Sequence, residues 1–284
     1  MKRLVVKSYA KINLALNVLK KREDGYHELD TIMLPLELHD SILMNKLTKG
    51  GDTFITCDDF SIGVLNYNIA TTAINKLSEV YNVNAKFRVF IHKVIPLQSG
   101  LGGGSSNAAY SMLGVNQLMK LNADKKTLLD IAKTLGADVP FFINCVPSRC
   151  QGIGEIITPI EVKNNYYILI VCPKLGCSTK EVFLTSDTMT LKTYPIDDVV
   201  VALASGDDEL LAKSIGNSLL DAASSLNPEI TEIIELLRGY GLKIVSMTGS
   251  GSAVFAMSQD KKLLKRIEKN LEDKYRVELT RIKK

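Results

Sequence analysis

From Arg3 onward, apolar and polar residues alternate through RLVVKSYAKINLALNVL, which is rich in Val, Ile and Leu, and this pattern predicts strands. KREDGYHELD interrupts it with Asp24-Gly25, a loop or hairpin signal. LPLELHDSILMNKL and DTFITCD read as further strands. Ile69, Ala73, Leu77 and Tyr81 then recur at helical spacing. KFRVFIHKVIP alternates strictly, with Phe87, Val89 and Ile91 on one face and Lys86, Arg88 and Phe90 on the other. It reads as a strand ending near Pro96. A helix is expected from about Asn107 to Leu121. A second is expected over DKKTLLDIAKTLG, closed by Gly136 in the position just past its end. GADVPFFIN reads as a tight turn into an apolar segment.

The pattern changes character around Gly152-Ile153-Gly154. NYYILIVCP is a buried strand, and SLLDAASSLNPEITEIIELLRGYG is a pair of helices or one broken helix, with Pro228 marking the restart. KIVSMTGSGSAVFAMS predicts strand, glycine turn, strand. A last helix and the strand YRVELTRI follow. Strands and helices mixed in this way predict an α+β arrangement on an antiparallel sheet.

Composition narrows the class. The 284 residues are 46% hydrophobic and 23% charged, as expected for a globular enzyme of one or two domains. The net charge of +4 is spread among residues of both signs, which disfavours a nucleic-acid binder. The most basic stretch, DKKLLKRIEKNLEDKYR, carries Leu263, Leu264, Ile267 and Leu271 at helical spacing and reads as an amphipathic helix with a solvated face. Five cysteines, an odd number, suit a reducing compartment better than a disulfide framework. Cys145/Cys150 and Cys172/Cys177 lack neighbouring histidines and do not read as a metal site. The N-terminal stretch shows no long apolar segment with a cleavage site, and a cytoplasmic location is expected.

SGLGGGSSNAAYSML, Ser99–Leu113, places glycines and serines between a strand and a helix. Backbone N–H groups at a helix start lack internal partners, and the helix dipole there favours an anion. Glycines let backbone approach it closely. Ser105 and Ser106 stand where they could cap the helix or touch phosphate or magnesium. No lysine follows the glycines, and a third glycine is missing at the dinucleotide-binding spacing, so two common phosphate-loop patterns are excluded. Apolar helical periodicity begins directly afterwards, which a flexible linker would not need.

PLQSGLGGGSSNAA, Pro96–Ala109, resembles the phosphate loop of the GHMP kinases. AKINLAL resembles their first motif, and MTGSGSAVFA, Met247–Ala256, their glycine-rich third. The order and spacing agree over nearly the whole chain. AKINLALNVLKKREDGYHELDTIM, the triple glycine with SSNAA, and GADVPFF bring the chain nearest to the members that act on a cytidine diphosphate-linked methylerythritol. The resemblance implies a two-domain GHMP kinase fold: a mixed α/β N-terminal domain over 1–152 carrying the phosphate loop, and a ferredoxin-like C-terminal domain over 153–274. The final strand, about 275–284, could return to the first domain. It also implies ATP-dependent phosphorylation of the 2-hydroxyl of that substrate, in the non-mevalonate route to isoprenoid precursors, by a monomer or weak homodimer. Magnesium would be held mainly by phosphates and water.

The same resemblance assigns roles. ATP would bind along Pro96, Leu97, Gln98, Ser99, Gly100, Leu101, Gly102, Gly103, Gly104, Ser105 and Ser106. Asp138 corresponds to the catalytic aspartate, although alone it reads as a turn residue. Lys11, unusual inside an apolar strand, would hold Asp138 and steady negative charge on the reacting oxygens. Asn13 shares its strand face and would contact substrate. The His27 region would read the cytosine edge, while Tyr26 and Phe183 would stack on the base. Thr179, Gly249 and Ser250 are further substrate contacts, although Gly249-Ser250-Gly251 also reads as an ordinary hairpin turn. Three positions depart from the family pattern: Gln98-Ser99 replaces a smaller pair, Leu34 stands where glutamine is common, and Ser218 where an acid is frequent. A GHMP kinase for another small alcohol, and a nucleotide-binding regulator on this scaffold, are the alternatives.

Overall fold

The computed structural model describes residues 3–47, 52–59 and 69–283. Positions 1, 2 and 284 of the expected domain limits therefore lie outside the described residues. Two compact units are present. The first holds residues 1–10, 38–95 and 102–145, and the second 11–37, 96–101 and 146–284. The chain passes between these two units several times.

Two long strands, β1 (Arg3–Lys21) and β2 (His27–Lys46), form a hairpin through the turn at Gly25, whose φ is +86°. In the first unit the later half of β2 pairs antiparallel with β4 (Phe87–His92), and β4 pairs parallel with β3 (Phe54–Cys57). β4 is buried and exposed at alternate residues as its sequence predicts. Around these strands lie α1 (Ile69–Val80), α2 (Gly103–Met119), α3 (Lys125–Lys133) and the single turn α4 (Phe141–Asn144).

Two helix ends differ from expectation. α2 begins at Gly103, inside the glycines, rather than near Asn107. Gly102 supplies the cap with φ +72°, a conformation that glycine adopts without penalty. α3 stops at Thr134, which stays right-handed, and its last N–H groups bond three residues back. Gly136 is thus not the left-handed terminator: it accepts from Val139 N in the next turn.

In the second unit the early half of β2 pairs with β5 (Ser148–Gly152), which turns into β6 (Ile156–Pro159). A separate antiparallel sheet has the order β10-β7-β9-β8, from β7 (Tyr167–Cys172), β8 (Ile244–Met247), β9 (Val254–Ser258) and β10 (Arg276–Arg281). β10 pairs with β7 along its length, so the last strand belongs to this sheet. Three helices, α8 (Leu220–Leu226), α9 (Glu229–Gly239) and α10 (Lys261–Leu271), supply Ala222, Ile233, Leu237, Leu264 and Ile267 to a core shared with Leu169, Val171, Val245 and Ala256. The lysines, Arg266 and Asn270 of α10 stay exposed, as the amphipathic reading required, while Glu268 is half-buried and accepts from Leu279 N. The sequence pattern did not resolve α5 (Thr179–Ser186), α6 (Ile196–Ser205) and α7 (Asp208–Ser214). Among the described residues, no helix is long and apolar enough to cross a membrane, and no disulfide joins the cysteines.

Candidate active site

Within the second unit, β1 carries Lys11 and Asn13 on one face, both almost fully buried. This removes the solvated-face reading of Lys11. Its Nζ donates to Asn13 Oδ1 at 2.5 Å. Asn13 Nδ2 donates to Thr31 Oγ1 at 2.9 Å, and Thr31 Oγ1 donates to Ala15 O at 2.6 Å. Asn13 N donates to Thr248 Oγ1 at 2.9 Å. Lysine and asparagine are thereby oriented by neighbouring protein groups.

The turn between β8 and β9 meets the first half of the glycine stretch. Ser252 N donates to Gln98 O, Ala253 N to Ser99 O, and Lys11 N to Leu101 O. A Cβ on Gly100, where φ is +75°, would lie 2.1 Å from Thr248 O, so only glycine fits. Asn217 braces the same turn, its Nδ2 donating to Met247 O and Gly249 O at 3.0 and 2.8 Å. Thr179 Oγ1 and Ser250 Oγ lie 2.9 Å apart, which brings two expected substrate contacts together. The departures are structural: Gln98 adopts φ +49° and accepts through its carbonyl from Cys177 N and Ser252 N, Ser99 Oγ donates to Pro96 O, Leu34 is buried, and Ser218 Oγ donates to Lys192 O.

At another place in this unit, the His27 ring stacks on Phe183 with centroids 4.9 Å apart and planes 29° apart. His27 Nε2 is 2.6 Å from Asp187 Oδ1, and Lys21 Nζ donates to Asp187 Oδ2 at 2.6 Å. Lys21, then His27, holds the Asp187 carboxyl below the usual carboxylate range. Tyr26 is exposed. Phe183 thus faces His27, a pairing the sequence did not reveal, and Asp187 went unnoticed because an acid at the end of a helix has no motif of its own.

Within the first unit, α2 opens with Gly103, Gly104 and Ser105, no acidic residue in its first turn and no side-chain cap. The first N–H groups of such a helix point outward from its start. The expected capping role of Ser106 does not hold. Its position lies inside the helix, its N–H bonds Gly102 O, and its hydroxyl donates to Tyr9 O at 2.6 Å. Ser105 lies in the first turn, past the capping position taken by Gly102. Asp138 sits partly buried in the turn between α3 and α4. Among the described residues, no three His, Cys, Asp or Glu side chains gather to hold a metal ion.

The glycine-rich loop, the buried lysine of the first strand and the glycine turn between β8 and β9 are the segments on which the resemblance to the GHMP kinases rested. Residues 68–145 match the GHMP kinases N terminal domain, and residues 199–277 match GHMP kinases C terminal. The 4-diphosphocytidyl-2-C-methyl-D-erythritol kinase of Alkaliphilus metalliredigens is 36% identical over 97% of this chain and 95% of its own. That of Caldicellulosiruptor saccharolyticus is 35% identical over 91% and 89%. A crystal structure of 4-(cytidine 5'-diphospho)-2C-methyl-D-erythritol kinase superposes with a TM-score of 0.83 at 30% identity, covering 99% of this chain and all of that one. Homoserine kinase from Cytophaga hutchinsonii, 17% identical with a TM-score of 0.76 over 100% of this chain and 95% of its own, shares the fold. The chain belongs to the GHMP kinases and, among them, to the 4-diphosphocytidyl-2-C-methyl-D-erythritol kinase family.

Proposed function

We propose that this chain transfers the γ-phosphoryl group of ATP to the 2-hydroxyl of 4-diphosphocytidyl-2-C-methyl-D-erythritol, giving the 2-phosphate and ADP. The observation that carries this reading is the buried Lys11 ammonium, oriented by Asn13 on a strand of a chain that matches this family over nearly its whole length. A buried cation without a function would be a costly choice for a strand interior. Here it faces the developing negative charge of the transferred group.

In the transfer, the acceptor oxygen forms a bond to the γ-phosphorus, and the bond from that phosphorus to the β-phosphate oxygen breaks. The hydroxyl proton goes to the Asp138 carboxylate, and ADP leaves. Positioning supplies most of the acceleration: N–H groups at the start of α2 receive phosphate oxygens, and Gly100–Gly104 let them approach. Magnesium, carried by phosphates and water, would neutralise charge on the phosphates. His27, with Tyr26 and Phe183, reads the cytidine; stacking accepts any base, so hydrogen bonds near His27 give the preference. Thr179, Gly249 and Ser250 contact the substrate's phosphates. This chemistry suits a reducing, cytoplasmic setting, in which cysteines stay as thiols.

The test is ADP release from ATP and magnesium with and without the cytidine substrate, for the parent protein and Asp138→Asn. Substrate-dependent release that collapses in the variant supports the reading. ATP binding without turnover would favour a regulator, and turnover only with a different alcohol would overturn the substrate.

A further inference from the structure

We infer that Asp40 is a positioning residue for the nucleotide-phosphate site, holding both ends of the glycine stretch at once; the inference rests on that stretch binding ATP. Asp40 is fully buried in the first unit, and its carboxylate is saturated with donors. Oδ1 accepts from Val94 N at 2.7 Å and Ile95 N at 2.8 Å, the residues directly before Pro96. Oδ2 accepts from Asn107 Nδ2 at 2.9 Å, on α2 directly after Ser106, and forms an ion pair with Lys93. Lys93 Nζ also donates to Asn107 Oδ1 at 3.1 Å. One side chain therefore fixes the segment that precedes the glycines and the helix that follows them.

The network continues to β1. Asn107 Nδ2 lies 2.9 Å from Ser8 Oγ, and Ser8 Oγ lies 2.7 Å from Ser106 Oγ. Gly103, the first residue of α2, rests on the same segment: a Cβ there would lie 3.1 Å from Ile95 Cγ2 and 3.4 Å from Lys93 Nζ. Glycine-rich backbone is the most costly kind to order. A buried ion pair is a poor device for stability alone, because apolar residues of similar volume do as well. Four directional bonds on one carboxylate do what apolar packing cannot. They set the first turn of α2 relative to the chain entering the loop. Since Asp40 neutralises Lys93, the network supplies position rather than net field.

Asn107→Ala removes the link to α2 and leaves the ion pair intact. Asp40→Asn with Lys93→Met removes the pair without stranding a charge. The readout is affinity for ATP against affinity for adenosine, by titration calorimetry on the whole protein. In each variant ATP should weaken about 10-fold or more while adenosine changes less than about 2-fold, because misplacing donors by a fraction of an ångström is felt only by the phosphates. Equal weakening of both ligands, no weakening, or failure of both variants to fold would assign the network to stability alone and overturn the inference. A parent protein that binds ATP no tighter than adenosine would instead refute the phosphate-loop reading itself.

Discussion

Two polar clusters of the second unit are built to opposite rules. Around Lys11, Asn13, Thr31 and Thr248, every named side chain is buried, and bonds run between residues up to 235 positions apart. Around His27, Asp187 and Lys21, the charged groups meet water: the Lys21 side chain is 51% exposed and that of Asp187 23%. A buried, satisfied network holds one geometry, whereas an exposed one exchanges partners at little cost. The first arrangement suits charge stabilisation during phosphoryl transfer. On the function proposed above, the second would suit a rim that admits and releases the base.

The largest effect should come from the buried cluster. Lys11→Met is expected to lower kcat about 10²- to 10⁴-fold with the protein still folded, since Asn13 and Thr31 are neutral and keep their bond to each other. Turnover near the parent value would break the contrast between the clusters. Gly100→Ala comes next. Its Cβ would strike Thr248 O in a backbone region that alanine avoids, at a cost of about 1–3 kcal/mol. A lower melting temperature and weaker ATP binding should appear together; an unchanged melting temperature would show that the turn yields freely.

The contrast was only half legible in the sequence. Local rules found β4, because its alternation is strict, and the restart at Pro228, because proline opens a helix. They misplaced the start of α2, since glycine and serine are weak helix formers and tertiary bonds through Ser106 and Asn107 support that turn. Lys11 and Asn13 could be paired by strand alternation. Their burial could not be seen, because Thr31 and Thr248 arrive from other strands and turns. The stacking of His27 on Phe183 and the Asp187 contact join residues that far apart in sequence leave no periodic trace.

On the exposed side, Phe183→Ala should raise the KM for the cytidine substrate about 10- to 100-fold and leave kcat nearly unchanged, as loss of one stacking ring does. Parallel loss for cytidine and uridine analogues would agree with stacking; loss confined to cytidine would shift base reading onto this ring and sharpen the difference from the Lys11 cluster.

The smallest change is expected from Asp187→Asn. The ion pair with Lys21 is exposed, so stability should move by only about 0–1 kcal/mol. Asparagine keeps an acceptor for His27 Nε2, and KM for the cytidine substrate should rise only a few-fold, about as much as one exposed hydrogen bond allows. The pH dependence follows from the direction of the shift. Lys21 and His27 lower the carboxyl below its unfolded value, so its contribution is present above that value and is lost as pH falls through the lower, folded one. The part of the parent–variant difference in KM that comes from the Asp187 charge should therefore persist throughout about pH 5 to 8, well above the ordinary aspartate range, and fade only at lower pH. Profiles that converge within that window would mean that the charge of another group facing Asp187 changes there, and would make this exposed cluster a pH-dependent reader rather than a passive rim.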